Sequence, residues 1–498
     1  MNYTDFLFKA KKEWLNNIAL ADIDSGKTFT YSELQEKVLS VSAGFEKLGI
    51  KPGDVVSLHL VNSAEVVISH LAVQFLGAVS CLLDPLIPVN ALSYYLSDTN
   101  TKFLISNRKE DLSSASDINI KAILNQDDIN TLSESYSKTE LRDSYNYSQG
   151  ELSTIFYTSG TTNKPKGVML SPSNYFNHVK IFSSGCYNYL PSDKLLCFVP
   201  FSHGYGSKSI FLPCLKNGAG MYIMRSFHPY KVVEAIDKYK LTHIFGVPSH
   251  FQQLLKFEEF FGSLRKLSAA FTAAALLKTE TAKEWKERIG FYLDEGYGLI
   301  ETSTGVSFRL NRLPLKLGDI GTYPEELVEI ESVDENFNYL KPNERGEIVI
   351  KSESVMLGYL NKKEETENAI RNGWFRTGDM GYKTMDNTII LTGRIKEVIN
   401  IAGIKVAPFE IEAVLNEHPV VNESAVIGID DEMYGEIVIA FVKLHNNSNV
   451  RERELVKYLQ KHLMNFQIPK EIVFIDQFPR NNMGKIDKKK LKEDYVRV

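Results

Sequence analysis

At 498 residues the chain is too long for one comfortable hydrophobic core, so two or more domains are expected. Its 43% hydrophobic and 24% charged residues are ordinary for a globular protein, and a formal net charge of -5 excludes the basic surplus of a general nucleic-acid binder. Cys81, Cys186, Cys197 and Cys214 are widely spaced, with no C-x-x-C pair, which excludes a disulfide framework or structural zinc and points to a reduced, cytoplasmic setting.

The N-terminal stretch MNYTDFLFKAKKEW lacks the apolar core and cleavage site of a secretory signal. A strand and helix rhythm follows: VVSLHLV at 55–61, a helix over 64–76, AVSCLL at 78–83 and KFLISN at 102–107. Residues 66–83 carry no formal charge over 18 positions, the lower edge of a membrane span. Ser69, His70, Gln74, Gly77 and Ser80 interrupt them, however, and predict a helix stopping near Gly77 before a buried strand, with no membrane span. Residues 109–150 are richer in Ser, Asp and Asn and read as a variable surface connection. The rhythm resumes with LLCFVPF at 195–201, an apolar helix near 209–215, GMYIM at 220–224, a helix over 230–240 and THIFGVP at 242–248. Beyond Gly318 the texture changes to short strands (LVEIESV, GEIVIKS, TIILTGR, SAVIGID, IVIAFVKL) with helices at 409–417 and 452–463, an α+β tail behind a large α/β body. The segment Arg394-Ile395-Lys396 between two strands is a plausible seam, and the basic run at 487–492 reads as a solvated helix face.

Between apolar runs stands TSGTTNKPKG, residues 158–167. Such a loop can aim backbone N–H groups at oxyanions, with Gly160 allowing close approach. Thr158, Ser159, Thr161 and Thr162 add hydroxyl donors, and Lys164 and Lys166 add positive charge, so the loop suits a polyphosphate. It is not the G-x-x-x-x-G-K-[ST] loop, because six residues separate Gly160 from Gly167 and Val168 follows.

The longer string YTSGTTNKPKGVMLS closely resembles the signature of the adenylate-forming superfamily of acyl-CoA synthetases, amino-acid adenylation domains and beetle luciferases. The resemblance covers nearly the whole chain from LGIKPGDVV at 48–56. It continues in order through EGYGLIETS at 295–303, GEIVIKSESVMLGYLN at 346–361, GWFRTGDMGY at 373–382, GRIKEVINIAGIKVAPFEIE at 393–412 and PRNNMGKIDKKKL at 479–491. It implies an α/β fold: a large multi-subdomain N-terminal domain with mainly parallel sheets, here residues 1–394, and a small mobile α+β C-terminal domain, here 395–498. It also implies ATP-dependent activation of a carboxylic acid as acyl-AMP, with Mg2+, followed by transfer to a thiol.

By this resemblance Lys485 bridges carboxylate and α-phosphate, and Glu301 holds Mg2+ against the phosphates. Lys405, beside the Gly403 loop expected to approach the acyl-adenylate, completes the expected catalytic set. Asp379 and Arg394 are expected at the ribose. Tyr297 is expected over the adenine, in a pocket shaped by Ala273, Ala274, Glu295, Gly296 and Gly298. Thr302 is expected near the phosphates, and Lys396 at the hinge. Two departures stand out: Asn163 replaces a loop glycine, a change that positive φ tolerates, and Ile300 replaces a threonine whose hydroxyl would meet the adenylate phosphate.

In PFSHGYG, Ser202 stands where adenylation domains place the Asp that pairs a substrate ammonium, so an α-amino acid is not expected. His203 matches the gating position of aryl- and acyl-CoA ligases. The acid pocket is then expected from His203, Tyr205, Ser207, Phe245, Val247, Ser249 and 271–275, including Thr272, a mixed lining that suits an aryl or short-to-medium acyl acid. Thirteen residues follow Lys485, so the thiol is expected from CoA or from the phosphopantetheine of a separate carrier protein. Asn400 and Ala402 around Gly403, where many CoA ligases carry Lys, leave both acceptors open. A nucleotide-binding module without catalysis and a luciferase-like oxygenase are the readings from other classes.

Overall fold

The computed structural model describes residues 2–108, 120–135, 143–158, 164–445, 448, 450–480 and 486–496. Apolar runs too short for helices become strands buried on both faces. In one eight-stranded sheet they run Thr304–Arg309, Leu293–Leu299, Ala269–Ala273, His243–Gly246, Lys194–Cys197, Gly220–Ile223, Ile18–Asp22 and Thr28–Thr30. All neighbours are parallel except the two outermost pairs. A seven-stranded sheet runs Gly358–Tyr359, Lys166–Leu170, Thr154–Thr158, Val79–Leu82, Val55–His59, Phe103–Ser106 and Ala122–Leu124. Its last five strands are parallel, and its first three are joined antiparallel.

The helix Ala64–Phe75 between two of these strands starts where the Ser63 hydroxyl accepts from the Val66 N–H, and every one of its residues is buried. It stops before Gly77, whose φ of +78° lets the chain turn into Val79–Leu82. The uncharged run is therefore an interior helix and strand; among the described residues no helix is long and apolar enough to cross a membrane. No disulfide forms among the four cysteines.

Residues 109–150 are not merely a surface connection. Ala122–Leu124 extends the second sheet, and the helix Gln126–Ser135 packs on Tyr31–Lys47, its Leu132 methyl so close that a Cβ at Gly44 would lie 2.7 Å away. The polar composition hid a helix with a single buried residue, Ile129. The strand expected over 195–201 stops at Cys197, three residues before Pro200, which has no N–H for a ladder. The helix expected near 209–215 begins earlier, as a π-helix over Tyr205–Ile210 that runs into Phe211–Lys216. The second C-terminal helix ends at Leu459, a turn short of 463.

The change of texture beyond Gly318 does not coincide with a new core. Strands Glu329–Val333, Gly346–Lys351, Ile370–Arg371, Trp374–Lys383 and Ile389–Arg394 form an antiparallel sheet, whose Ile330, Ile348, Ile350, Phe375 and Ile389 join the large hydrophobic core. A separate core begins at Ile399, with Val406, Ile411, Leu415, Val438, Leu455 and Ile472. It underlies a sheet ordered Ile404–Val406, Ile399–Ile401, Gly435–Leu444 and Val421–Asp431, with Glu471–Phe474 added parallel to Gly435–Leu444. The fold is thus a large N-terminal α/β body with mixed sheets and a smaller α+β C-terminal body.

Candidate active site

Strand Leu293–Leu299 leaves the parallel stack, turns through Ile300–Thr302 and returns as Thr304–Arg309. The turn is tight enough that a Cβ at Gly298 would lie 1.8 Å from the Thr304 carbonyl oxygen, so only glycine fits. Thr304 is held at φ +101°, a region hostile to β-branched residues, with its hydroxyl 2.5 Å from Ser209 Oγ and 3.1 Å from His178 Nε2. Thr302 Oγ1 accepts from the Leu299 N–H at 3.0 Å and lies 2.8 Å from the Thr304 carbonyl, so this hydroxyl is committed to its own turn. Ile300, in the place of a hydroxyl, packs into the large core.

Glu301 rides on that turn, 8% exposed. Its carbonyl accepts from the Met356 N–H at 2.7 Å and its Oε1 from the Tyr359 hydroxyl at 3.0 Å. Burial pushes its carboxyl pKa up. Tyr359 went unnoticed in the sequence although it lies in the quoted GYLN string, and it links two expected site residues, because the Lys166 ammonium lies 4.9 Å from its ring centroid. Lys166 also pairs with Glu365.

The hairpin Thr154–Thr158 and Lys166–Leu170, with Thr158 opposite Lys166, fixes both ends of the hydroxyl-rich loop. Ser159, Gly160, Thr161, Thr162 and Asn163 lie outside the described residues, as does Lys485. The latter is bracketed by a β-bridge between Arg480 and Ile486.

A second polar knot joins two sheets. Tyr297 donates its hydroxyl to Asp379 Oδ2 at 2.7 Å, and Arg394 Nε approaches Asp379 Oδ1 at 3.0 Å, the two residues being direct partners on adjacent strands. The Asp379 side chain is 5% exposed and that of Arg394 45% exposed. Burial and then the Asp379 charge drive the Tyr297 phenol far above its ordinary range, keeping it a donor. Each Asp379 oxygen has lone-pair capacity for a further donor, such as a diol would supply. Ala273 ends the adjacent strand and Ala274 follows at φ +69°. Glu295 does not turn its side chain toward this knot: its carboxylate pairs with buried Arg309 at 3.0 Å and accepts from the Leu277 N–H at 3.2 Å. Gly296 is needed because a Cβ there would lie 2.5 Å from the Phe271 ring. Lys396 follows two residues after Arg394 in the short turn Ile395–Glu397.

The expected acid-pocket residues gather at the ends of His243–Gly246 and Ala269–Ala273. The Tyr205 hydroxyl reaches the Gly246 and Phe271 carbonyls at 3.3 and 3.2 Å, and Ser207 Oγ donates to the His203 carbonyl at 3.1 Å. Phe245 and Thr272 are fully buried beside them, and Ser249 stands in the helix Pro248–Leu254. Lys405 is not brought to this cluster; it projects from the C-terminal hairpin and pairs with exposed Glu335.

Among the described residues no group of three or more His, Cys, Asp or Glu could hold a metal by itself. A single buried carboxylate on a rigid turn nonetheless fits Mg2+, which takes one or two carboxylates and completes its shell with water and substrate phosphates. Glu301, buried on its turn, has those properties.

Residues 7–360 match the AMP-binding enzyme family and residues 410–485 the AMP-binding enzyme C-terminal domain. The chain is similar to 4-coumarate-CoA ligase 1 of Narcissus pseudonarcissus, 30% identical over 506 residues, covering 98% of this chain and 92% of that one. It is also similar to the 2-succinylbenzoate--CoA ligase of Geobacillus sp. (strain WCH70), 32% identical over 485 residues, with 96% and 94% covered. Its fold matches the crystal structure of ATP bound MatB from Rhodopseudomonas palustris with a TM-score of 0.92, 27% identity and 99% of each chain covered. The apo MatB structure gives 0.81 at the same identity and coverage. Matched in both of its bodies, the chain belongs to the AMP-binding enzyme family, the adenylate-forming superfamily of AMP-forming acid–thiol ligases.

Proposed function

We propose that the protein activates an aryl or short-to-medium acyl acid with ATP, forming acyl-AMP and pyrophosphate, and then transfers the acyl group to the thiol of CoA. The observation that carries this reading is the Tyr297–Asp379–Arg394 knot beside the Glu301 turn, which sets a diol acceptor, an aromatic ring and a buried carboxylate around one end of the sheet. In the first half-reaction a carboxylate oxygen attacks the α-phosphorus, and the bond to the β-phosphate oxygen breaks. Two like unit charges about 4 Å apart repel by roughly 4 kcal/mol at an effective dielectric near 20. The Lys485 ammonium offsets that repulsion, and Glu301 would hold Mg2+, whose charge draws electrons from the phosphate oxygens. Asp379 and Arg394 fix the ribose, Tyr297 the adenine, and the hairpin holding Lys166 the polyphosphate.

In the second half-reaction a thiol sulfur attacks the acyl carbonyl, AMP leaves with the bonding electrons, and the thiol proton passes to solvent. The better match to ATP bound MatB than to apo MatB, and the outward placing of Lys405, support an arrangement suited to the first step. The body 395–498 then rotates about Lys396 to bring the Gly403 turn inward. Acid-dependent pyrophosphate exchange across a panel of carboxylic acids, followed by mass spectrometry with CoA and with carrier proteins, tests the reading. Exchange with an aryl or short acid and formation of its acyl-CoA are expected. Acylated carrier protein without acyl-CoA would replace the acceptor, and no exchange with any acid would sink the proposal.

A further inference from the structure

Lys208 has no part in the reaction as described above, yet it is the only lysine in the buried interior among the described residues, 1% exposed. Its Nζ has no hydrogen-bond partner among those residues. An ammonium so placed destabilises the fold unless an anion meets it. Around it stand parts of all three regions of the site. The ammonium lies 4.3 Å from the ring centroid of Phe156, two residues before Thr158 where the hydroxyl-rich loop begins, and 5.6 Å from that of Tyr175. A Cβ at Gly204, the neighbour of His203, would come within 2.7 Å of Lys208 Cε and 3.1 Å of Nζ, so glycine there makes room for the tail. The same Cβ would lie 2.7 Å from the Thr304 methyl, on the turn that carries Glu301.

Three titratable groups act on this amine: Glu301, and the buried His70 and His178, both held neutral by desolvation with pKa values pulled down to about 3. Burial also pulls the Lys208 pKa well down, and Glu301 pulls it back up. Glu301 is thus the anion acting on it from the protein. The aromatic faces of Phe156 and Tyr175 compensate part of the lost hydration.

Resting on the nucleotide reading above, we propose that Lys208 is a positioning residue, an internal amine beside the strand Thr154–Thr158 that carries its charge when a polyphosphate binds and attracts it where Ile300 offers no hydroxyl. Low-dielectric surroundings make such a charge felt without direct contact. The attraction must scale with the charge of the nucleotide, whereas a purely structural lysine affects the whole nucleotide site alike.

Calorimetric binding of ATP, AMP and adenosine, without divalent metal, to the wild-type protein and to Lys208→Met separates the two. Methionine fills similar space without charge, so the melting temperature is expected to hold or rise. ATP is expected to bind about tenfold more weakly, AMP about threefold and adenosine equally, in the order of phosphate charge. Gly204→Ala, which keeps the amine but displaces it, is expected to reproduce the order with smaller losses, and it answers the question even if the methionine variant folds poorly. Equal losses for all three ligands, or none, would overturn the inference. Wild-type protein that binds ATP no better than adenosine would instead remove the nucleotide reading on which the inference rests.

Discussion

Two turns of the chain invite comparison. Around Asp379 both carboxylate oxygens are engaged, by Tyr297 and Arg394, and the neighbouring Glu301 turn is fixed by Tyr359, Met356 and the strained Thr304. Around Gly403 the hairpin Ile399–Ile401 and Ile404–Val406 stands outward, with Ile404 44% exposed and Lys405 paired to an exposed glutamate. Even here the turn itself is shaped: Ala402 and Gly403 both have positive φ, and the Gly403 N–H donates to Asn400 Oδ1 at 3.0 Å. The contrast is that the residues proposed for the nucleotide are held by neighbouring side chains and backbone, while the hairpin proposed to move is already shaped but stands outward. Among the described residues polar contacts cross the seam from Lys278 Nζ to Asn416 at 3.0 Å, from Arg345 to Glu410 and from Lys405 to Glu335, and the helix Pro408–Glu417 packs on Ile389–Arg394, where a Cβ at Gly393 would lie 3.5 Å from Phe409 Cβ.

The largest expected effect separates the two bodies by acid. Burial holds His70 and His178 neutral with pKa values of about 3, and His250 with a value of about 4. Burial and then Arg108 hold His59 at about 4. None of His418, His445 and His462 in the C-terminal body is buried. The unfolded chain binds protons on such groups near pH 6.5, so their stability contribution is present above that pH and is lost as pH falls, toward 4 for His59 and His250 and toward 3 for His70 and His178. Each group accounts for up to about 1.4 kcal/mol per pH unit. Thermal melting across that window is expected to show the N-terminal body failing first, with a shallower slope in His178→Gln; an unchanged slope would count against the buried neutral imidazole.

Next comes Asp379→Ala, which leaves the Tyr297 hydroxyl without its acceptor and Arg394 without its anion. A stability loss of about 2 kcal/mol is expected by denaturant titration. Pyrophosphate exchange is expected to fall about 100-fold if the carboxylate also holds ribose; retained exchange would detach the knot from the nucleotide. Tyr297→Phe removes one donor and keeps the ring, so about 1 kcal/mol and a smaller loss of exchange are expected. The smallest effect belongs to Lys405→Ala: an exposed pair on a hairpin contributes little, so melting and exchange are expected to hold while thiol transfer slows. A matching loss of exchange would place the hairpin at the nucleotide in the first step and dissolve the comparison.

Much of this was legible in the sequence. Short uncharged apolar runs such as VSCL and HIFG, bounded by turn residues, read as interior strands, and the family strings singled out Glu301, Asp379, Arg394 and Tyr297 by number. The segment 120–135 was missed because a helix that buries one residue carries almost no periodic signal. The change of texture beyond Gly318 gives no sign that the third sheet shares the large core, because pairing across long separations, such as Asn174 with the Glu353 and Val355 carbonyls at 2.9 and 2.8 Å, leaves no local mark. Lys208 was invisible for a simpler reason: a lysine reads as surface unless the packing around it is known.

The central claim is that adenylation and thiol transfer use different parts of one chain, joined by an ammonium that serves the first step alone. Lys485→Ala tests it directly, with exchange and with transfer from preformed acyl-adenylate measured side by side. The account predicts that acid-dependent exchange disappears while transfer to the thiol persists; undiminished exchange, or loss of both activities together in a folded protein, would contradict it.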